Sequence, residues 1–340
     1  MARNILITGG AGFIGSNTAE FYLRKEDHVY ILDNFLRKGS KANSTYLLSN
    51  YKKKLHIITA DIRYDQVLLN KIVSKMDIVF HFAGQVAVTA SLRDPRADFE
   101  TNALGTFNIL EAVRQSGNNP IFIYSSTNKV YGDLANVKIS EQERRYSFEN
   151  IQGISELFPV DFYSPYGCSK GAADQYVRDY YRMYGLRTIV FRQSCIYGSH
   201  QFGIEDQGWL AWFLIRILQK KSITIYGDGK QVRDILHIDD LVRAYDLAIE
   251  NIDSTKGKIY NVGGGIKNSV SIWLELQEKL ESITKKHITV NFADWRPGDQ
   301  KIYVSDIRKS KKEFLWEPKI DMDEGISSLY IWLQNNVNLL

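Results

Sequence analysis

Tyr166 and Lys170 stand four residues apart in the stretch SPYGCSK, residues 164–170. Pro165 followed by this run starts a helix, on which positions i and i+4 share one face. An ammonium beside a phenol favours the phenolate. At ~5 Å and an effective dielectric near 20 the attraction is roughly 3 kcal/mol, or about two pKa units. Such a tyrosine is a base for taking a proton from a hydroxyl. The Tyr-x-x-x-Lys spacing is common by chance. It gains weight from Thr127, which follows Tyr124-Ser125-Ser126 at the end of an apolar run and offers a hydroxyl to hold the reacting group. The plainer reading of Thr127 is a turn hydroxyl that caps backbone.

A base that strips a hydroxyl needs an electron acceptor beside it. Residues 4–15 read NILITGGAGFIG: a strand of Ile5, Leu6 and Ile7, then Gly9, Gly12 and Gly15 at three-residue spacing, then a helix. The first glycine permits a tight turn, the second lets backbone approach a pyrophosphate, and the third lets the helix pack on the strand. The helix N-terminus, opening at Phe13 and Ile14, offers free N–H groups to phosphate. Asp33, 18 residues after Gly15 and followed by Asn34, ends the next strand. A carboxylate there accepts from an adenosine ribose and repels a 2′-phosphate, which favours NAD over NADP; Arg37 and Lys38, just beyond, weigh the other way. Asp61-Ile62 follow the third strand and face the adenine, unless Asp61 is a helix N-cap. His81 reads as a satisfied core histidine.

These groups need a scaffold. Short apolar runs at Asn4–Thr8, His28–Asp33, Leu55–Thr59, Ile78–Phe82, Ile121–Ser125 and Thr188–Arg192 alternate with helical stretches near 13–25, 65–75, 95–117 and 167–184. The alternation predicts an α/β fold with a doubly wound, parallel, Rossmann-type sheet. Residues 133–165 form a polar-to-aromatic insertion, and the pattern is mixed after about residue 194. The expected division is a dinucleotide-binding domain over 1–193, with a return segment 234–263, and a smaller mixed α/β substrate domain over 194–233 and 264–340.

The chain has 340 residues, 44% apolar and 24% charged, the profile of a globular protein with a sizeable core. Cys168 and Cys195 are its two cysteines, too few for a disulfide framework, and no Cys/His cluster has metal-ligand spacing. No metal is expected. A net charge of +4 and the short run Lys52-Lys53-Lys54 argue against a nucleic-acid partner. Residues 208–218, GWLAWFLIRIL, are interrupted by Arg216 and fall short of the ~18 apolar residues of a membrane span. The opening MARNILITGG has some signal-peptide character, but the glycine spacing and the amphipathic stretch after it oppose that reading, so a cytoplasmic enzyme is expected.

The chain resembles the extended short-chain dehydrogenase/reductases over nearly all its length. The markers are TGGAGFIG (8–15), DI (61–62), HFAGQ (81–85), NALGT (102–106), YSSTNKVYG (124–132), SPYGCSK (164–170), YGDGKQVRDILHIDD (226–240) and RPGDQ (296–300). The resemblance implies catalytic Thr127, Tyr166 and Lys170, with Tyr166 and Lys170 also touching a tightly held NAD, and adds Ala83 and Gln85 to the cofactor contacts. It implies a nucleotide-sugar substrate. Arg233 and Arg296 fall at the family's phosphate-binding positions, where the planar guanidinium suits a diphosphate. Tyr226 is a wall for the base; the plainer reading of each arginine alone is a surface ion pair. Trp209 and Trp212 read as core, and His237 as structural.

Within the family, AGQVAVTASLRDP (83–95), SSTNKVYGDL (125–134), SPYGCSKGAADQY (164–176) and EDQGWLAWF (205–213) are most similar to CDP-tyvelose (CDP-paratose) 2-epimerases. The family's sugar 4,6-dehydratases place Asp-Glu after the catalytic threonine; here Asn128 and Lys129 stand there, which opposes elimination. Cys195, in RQSCIYG, replaces an asparagine frequent in the family and alters a substrate-facing hydrogen bond. The expected reaction is transient oxidation and re-reduction at carbon 2 of a CDP-linked dideoxyhexose, in bacterial surface-polysaccharide (O-antigen) synthesis. The rivals are a UDP-hexose 4-epimerase and a non-catalytic dinucleotide-sensing protein. The long helices 95–117 and 167–184 leave room for a homo-oligomer, dimer or tetramer, as in relatives.

Overall fold

The structure, a computed structural model, describes residues 2–340. Seven parallel strands form the main sheet in the order Lys258–Val262, Thr188–Gln193, Ile121–Thr127, Ile78–His81, Asn4–Thr8, His28–Asp33, Leu55–Thr59. The expected strands lie within two residues of these. Their apolar runs are continuous because helices cover both faces. Ile5 and Ile7 point into one core with Tyr22, Leu241 and Tyr245; Leu6, between them, points into the other with Leu69, Leu110 and Val177.

The chain builds outward from Asn4–Thr8 to Leu55–Thr59, then returns to lay Ile78–His81 on the other side of the first strand. The C-terminal ends of these two neighbours therefore open a crevice at the point where strand order reverses, the usual ligand position in such sheets.

Helix Ser40–Tyr51 was not anticipated. Its buried face carries Ser40, Asn43 and Ser44 beside Leu47, so apolar periodicity is nearly silent. The Asn43 amide donates to the carbonyls of Ala11 (3.1 Å) and His200 (3.2 Å), fixing the helix by polar contacts. The expected helix 95–117 is divided: Pro95–Phe99, a π-helical turn Glu100–Leu104, then Gly105–Gln115.

The second region packs small sheets and the helices Trp209–Leu218, Leu276–Thr284 and Met322–Asn335 around its own core, centred on Leu214, Trp273 and Leu329. Strand Val232–His237 pairs with Cys195–Tyr197, Ser269–Ser271 and Ile302–Tyr303 here, while helix Ile238–Glu250 and strand Lys258–Val262 return to the main sheet. The insertion 133–165 holds the antiparallel pair Ile139–Glu141 and Tyr146–Phe148. No described helix is long and apolar enough to cross a membrane.

Candidate active site

A cavity of about 690 Å³ runs from the crevice to the second region, and every residue assigned above to cofactor, chemistry or substrate lines it. The described residues include no group of three or more His, Cys, Asp or Glu side chains arranged to hold a metal.

At one end lie Gly9, Gly12, Phe13, Ile14 and Gly15. Gly9 has φ +68°, and a Cβ there would lie 2.7 Å from the Ala83 nitrogen. A Cβ on Gly15 would strike the Gly9 carbonyl oxygen, so the third glycine seats the helix on the turn itself, not on the strand. Helix Phe13–Arg24 starts at Gly12 without a side-chain cap. Its first-turn N–H groups thus suit an anion. Asp33 accepts from the N–H groups of Ala11 (3.1 Å) and Phe35 (2.8 Å). Burial pushes its pKa up, and those hydrogen bonds oppose the rise. The glycine turn, the open helix end and the buried carboxylate together fit a dinucleotide.

Asp61 is not the cap of the helix that follows; Asp65 occupies that position. The Asp61 carboxylate accepts from Arg63 Nε (3.0 Å) and Asn34 Nδ2 (3.1 Å), and the Arg63 pairing holds it down at about 2. His81 bridges the Thr8 hydroxyl (2.7 Å) and the Thr106 hydroxyl (2.9 Å) in the core.

Thr127, Tyr166 and Lys170 meet midway along the cavity. Thr127 ends its strand and caps the 3-10 turn Asn128–Tyr131, accepting from the Lys129 N–H at 3.2 Å. Its hydroxyl therefore has a capping role and also faces the cavity. Helix Ser164–Tyr184 carries the other two. Ser164 takes φ +73°, and its hydroxyl accepts from the Gly167 N–H (3.2 Å), turning the chain into the helix just before Tyr166. Two buried polar networks hold that helix. Ser169 donates to Asp98 (2.5 Å), which also receives Gln85 (2.8 Å) and Asn102 (3.1 Å). Asp174 accepts from Ser126 (2.7 Å) and pairs with Arg192 (2.9 Å).

The electrostatics differ from the sequence expectation. Burial pushes the Tyr166 phenol up to about 12, with the nearby Thr127 hydroxyl pulling the other way. Lys170 is driven down to about 7 by burial, against the attraction of Asp174 and Asp98. The Lys170 ammonium donates to the Ser125 carbonyl (2.6 Å) and lies 4.3 Å from the centre of the Tyr124 ring. The two residues share a helix and line one cavity, but burial dominates at each, and Lys170 does not pull the phenol down as the spacing predicts.

At the far end, Arg233 donates to the carbonyls of Val232 (2.8 Å) and Gln300 (2.7 Å), and no carboxylate among the described residues pairs with it. Arg296 lies 3.3 Å from the Asp299 carboxylate and stacks on Tyr226 at 4.6 Å. Cys195 receives Trp209 Nε1 at 3.4 Å, and burial raises its thiol pKa. Asn128 Oδ1 lies 3.4 Å from the Thr127 hydroxyl. Trp209 and Trp212 pack on the second core as expected, yet both also line the cavity. His237 caps helix Ile238–Glu250 and contacts Ser328.

Sequence reasoning gave no role to Arg37 as a bridge. It spans the cavity mouth to Gln207 (2.6 Å), a contact 170 residues away with no local pattern. It likewise missed Asp98, whose only signal is its place four residues before Asn102 of the NALGT marker.

The family model described as GDP-mannose 4,6 dehydratase matches residues 6–329. The chain is 44% identical to a CDP-paratose 2-epimerase of Salmonella typhi, covering 96% of this chain and 98% of the relative. It is 33% identical to a putative UDP-glucose 4-epimerase of Methanocaldococcus jannaschii, covering 98% and 99%. Among solved structures it is similar to the UDP-glucuronic acid 4-epimerase of Bacillus cereus in complex with UDP-glucuronic acid and NAD, with a TM-score of 0.84, 28% identity, and 98% and 99% of the two chains covered.

Proposed function

The chain belongs to the GDP-mannose 4,6-dehydratase family of extended short-chain dehydrogenase/reductases, and from that premise we propose that it inverts carbon 2 of a CDP-linked 3,6-dideoxyhexose, turning CDP-paratose into CDP-tyvelose. At the coarser level it is an NAD-dependent nucleotide-sugar epimerase. The glycine turn and Asp33 would hold NAD, which would supply the two-electron acceptor and donor when bound. Residues 1–193 with 234–263 serve the dinucleotide, and 194–233 with 264–340 serve the nucleotide sugar.

The observation that carries this reading is the meeting of Thr127, Tyr166 and Lys170 on one cavity wall, with Asn128 and Lys129, not an acid pair, following Thr127. Tyr166 takes the proton of the sugar 2-hydroxyl, which Thr127 holds. Lys170, fixed on the Ser125 carbonyl, stands one helical turn from Tyr166. The 2-keto sugar then turns within the cavity, and Tyr166 returns the proton to the new hydroxyl. The net reaction consumes no oxidant, so the cofactor stays bound. A triad of this kind has no use in a dinucleotide sensor. The 44% identity to the Salmonella enzyme supports carbon 2 and CDP; the 33% relative supports the rival, carbon 4 of a UDP-hexose.

Product analysis with CDP-paratose and UDP-glucose tests the reading. Conversion of the first alone is expected, and conversion of UDP-glucose alone would replace carbon 2 with carbon 4. The reading includes a homo-oligomer, dimer or tetramer, built on Gly105–Gln115 and Ser164–Tyr184, where Phe107, Tyr176 and Met183 are exposed.

A further inference from the structure

Three cations converge on one turn. Lys129 Nζ donates to the Gly298 carbonyl at 3.0 Å, and Arg233 Nη2 donates to the Gln300 carbonyl at 2.7 Å. Arg296 stands on the same turn, two residues before Gly298. All three side chains line the cavity. Asp299, paired with Arg296, is the carboxylate of this corner, so the corner is net positive. An ammonium has three donors, and the Gly298 carbonyl takes one, leaving two for a ligand. Lys129 is driven down to about 8, first by burial and then by Arg233, while Asp299 works the other way. Like charges gathered away from water repel one another, and an anion relieves that repulsion.

Lys129 is also tied to the chemistry. Its N–H donates to the Thr127 hydroxyl, so the cation and that hydroxyl belong to one short turn. We propose that Lys129 grips the β-phosphate of the nucleotide sugar, the phosphate borne by sugar carbon 1, and thereby seats carbon 2 against Thr127 and Tyr166. Carbon 2 is bonded to carbon 1, whereas carbon 4 lies across the ring and needs the phosphate held further off. The inference rests on the nucleotide-sugar reading above and adds the group that selects the carbon.

The test is calorimetric titration of wild type, Lys129→Gln and Lys129→Met with CDP, UDP and CMP, with bound NAD as the check on folding. Glutamine keeps a donor for the Gly298 carbonyl. Both variants should bind CDP and UDP ~10-fold or more weakly, the range for a lost charge-assisted hydrogen bond. Their affinity for CMP, which has no β-phosphate, should change less than about twofold. Wild-type affinity for CDP should also fall as pH rises through about 8, because the neutral amine cannot pair with phosphate, and the fall should be absent from both variants. Arg233, Arg296, Asp299 and Cys195 face Lys129, and burial raises the Cys195 thiol. Equal losses for CDP and CMP, or no loss for CDP, overturn the proposal. Should the CDP-against-CMP contrast appear while only UDP-sugars are turned over, Lys129 keeps its role and the CDP assignment fails.

Discussion

The Lys170 ammonium donates to the Ser125 carbonyl at 2.6 Å, two residues before Thr127 on the same strand. This bond fixes the lysine to the strand end that also carries the threonine. It holds the lysine at a set place on the helix of Tyr166, and Tyr166 is not a phenolate in advance. The phenol stays high, at about 12, because it is buried. Its use as a base near neutral pH would need a further positive charge beside it, which the nicotinamide of NAD would supply when bound, coupling the base to cofactor state.

The first prediction follows from that coupling. Tyr166→Phe should lose ~10²–10⁴-fold in turnover, the usual cost of removing a general base, and should keep its NAD, because the substitution leaves the proposed cradle at Gly9–Gly15 untouched. Rates and acid-released dinucleotide are measured on the same preparation. Near-normal turnover would remove Tyr166 from the mechanism.

The second concerns the cofactor itself. Asp33 presents its carboxylate to the cavity with one oxygen on the Ala11 N–H and the other on the Phe35 N–H. Protein purified without added cofactor should release NAD and no NADP. Asp33→Ala should bind NAD about tenfold more weakly, the loss of one hydrogen bond to a charged group, and should narrow the preference over NADP. A preparation carrying NADP alone would reverse the assignment and give Arg37 the deciding role.

Much of this was legible in the sequence, for a physical reason. The central strands of the sheet are buried on both faces, so Ile5-Leu6-Ile7 and Phe122-Ile123-Tyr124 announce themselves as apolar runs. The glycines are legible because backbone at Gly9 and Gly15 has no room for a Cβ. Helix Ser40–Tyr51 was hidden because it docks through Asn43, not through an apolar stripe. Spacing put Tyr166 and Lys170 on one face but said nothing of the Ser125 carbonyl that fixes the lysine, or of the burial that shifts both groups. The Arg37–Gln207 bridge joins residues 170 apart and appears only once the chain is folded.

The third prediction separates the two arginines. Arg233 has only carbonyl partners, so its charge is free for phosphate, while Arg296 is shared with Asp299 and with the Tyr226 ring. Arg233→Ala should weaken CDP binding by ~10–100-fold, in line with ~1.5–3 kcal/mol for a charge-assisted hydrogen bond. Arg296→Ala should cost less, and neither should alter NAD content. Unchanged CDP affinity in both variants would move the nucleotide sugar elsewhere.

The fourth is a pH dependence of stability. Lys129 has a folded pKa of about 8, below its ordinary value. Between about 8 and the unfolded value near ~10.4 the folded protein binds fewer protons than the unfolded chain, so this group's penalty fades as pH rises through that window. Below about 8 the penalty is complete. Lys129→Met should therefore raise the midpoint of thermal unfolding by a few degrees at pH 7, and the gain should shrink towards pH 10. A gain that is constant with pH would mean that the substitution acts through packing and not through the buried charge.

The last prediction fixes the carbon. If carbon 2 is oxidised and re-reduced within one bound complex, deuterium placed at carbon 2 of CDP-paratose should be found at carbon 2 of the product. It should not wash out into water, because the cofactor stays bound between the two half-reactions and the hydrogen taken from the sugar is the one returned to it. A primary isotope effect on turnover is expected when that transfer limits the rate. Simple deprotonation at carbon 2 would instead exchange the label with solvent, and it would need a base strong enough to remove a carbon-bound proton. A 4-epimerase would leave carbon 2 untouched and respond only to label at carbon 4. Thr127 and Tyr166 present two hydroxyls to the cavity with Asn128 and Lys129 next in sequence, an arrangement made to hold a sugar hydroxyl and not to eliminate one. Solvent deuterium building up at carbon 2 during turnover would refute transient oxidation. Failure to turn over any CDP-linked 3,6-dideoxyhexose would refute the substrate while leaving Thr127, Tyr166 and Lys170 as the oxidising site for another nucleotide sugar.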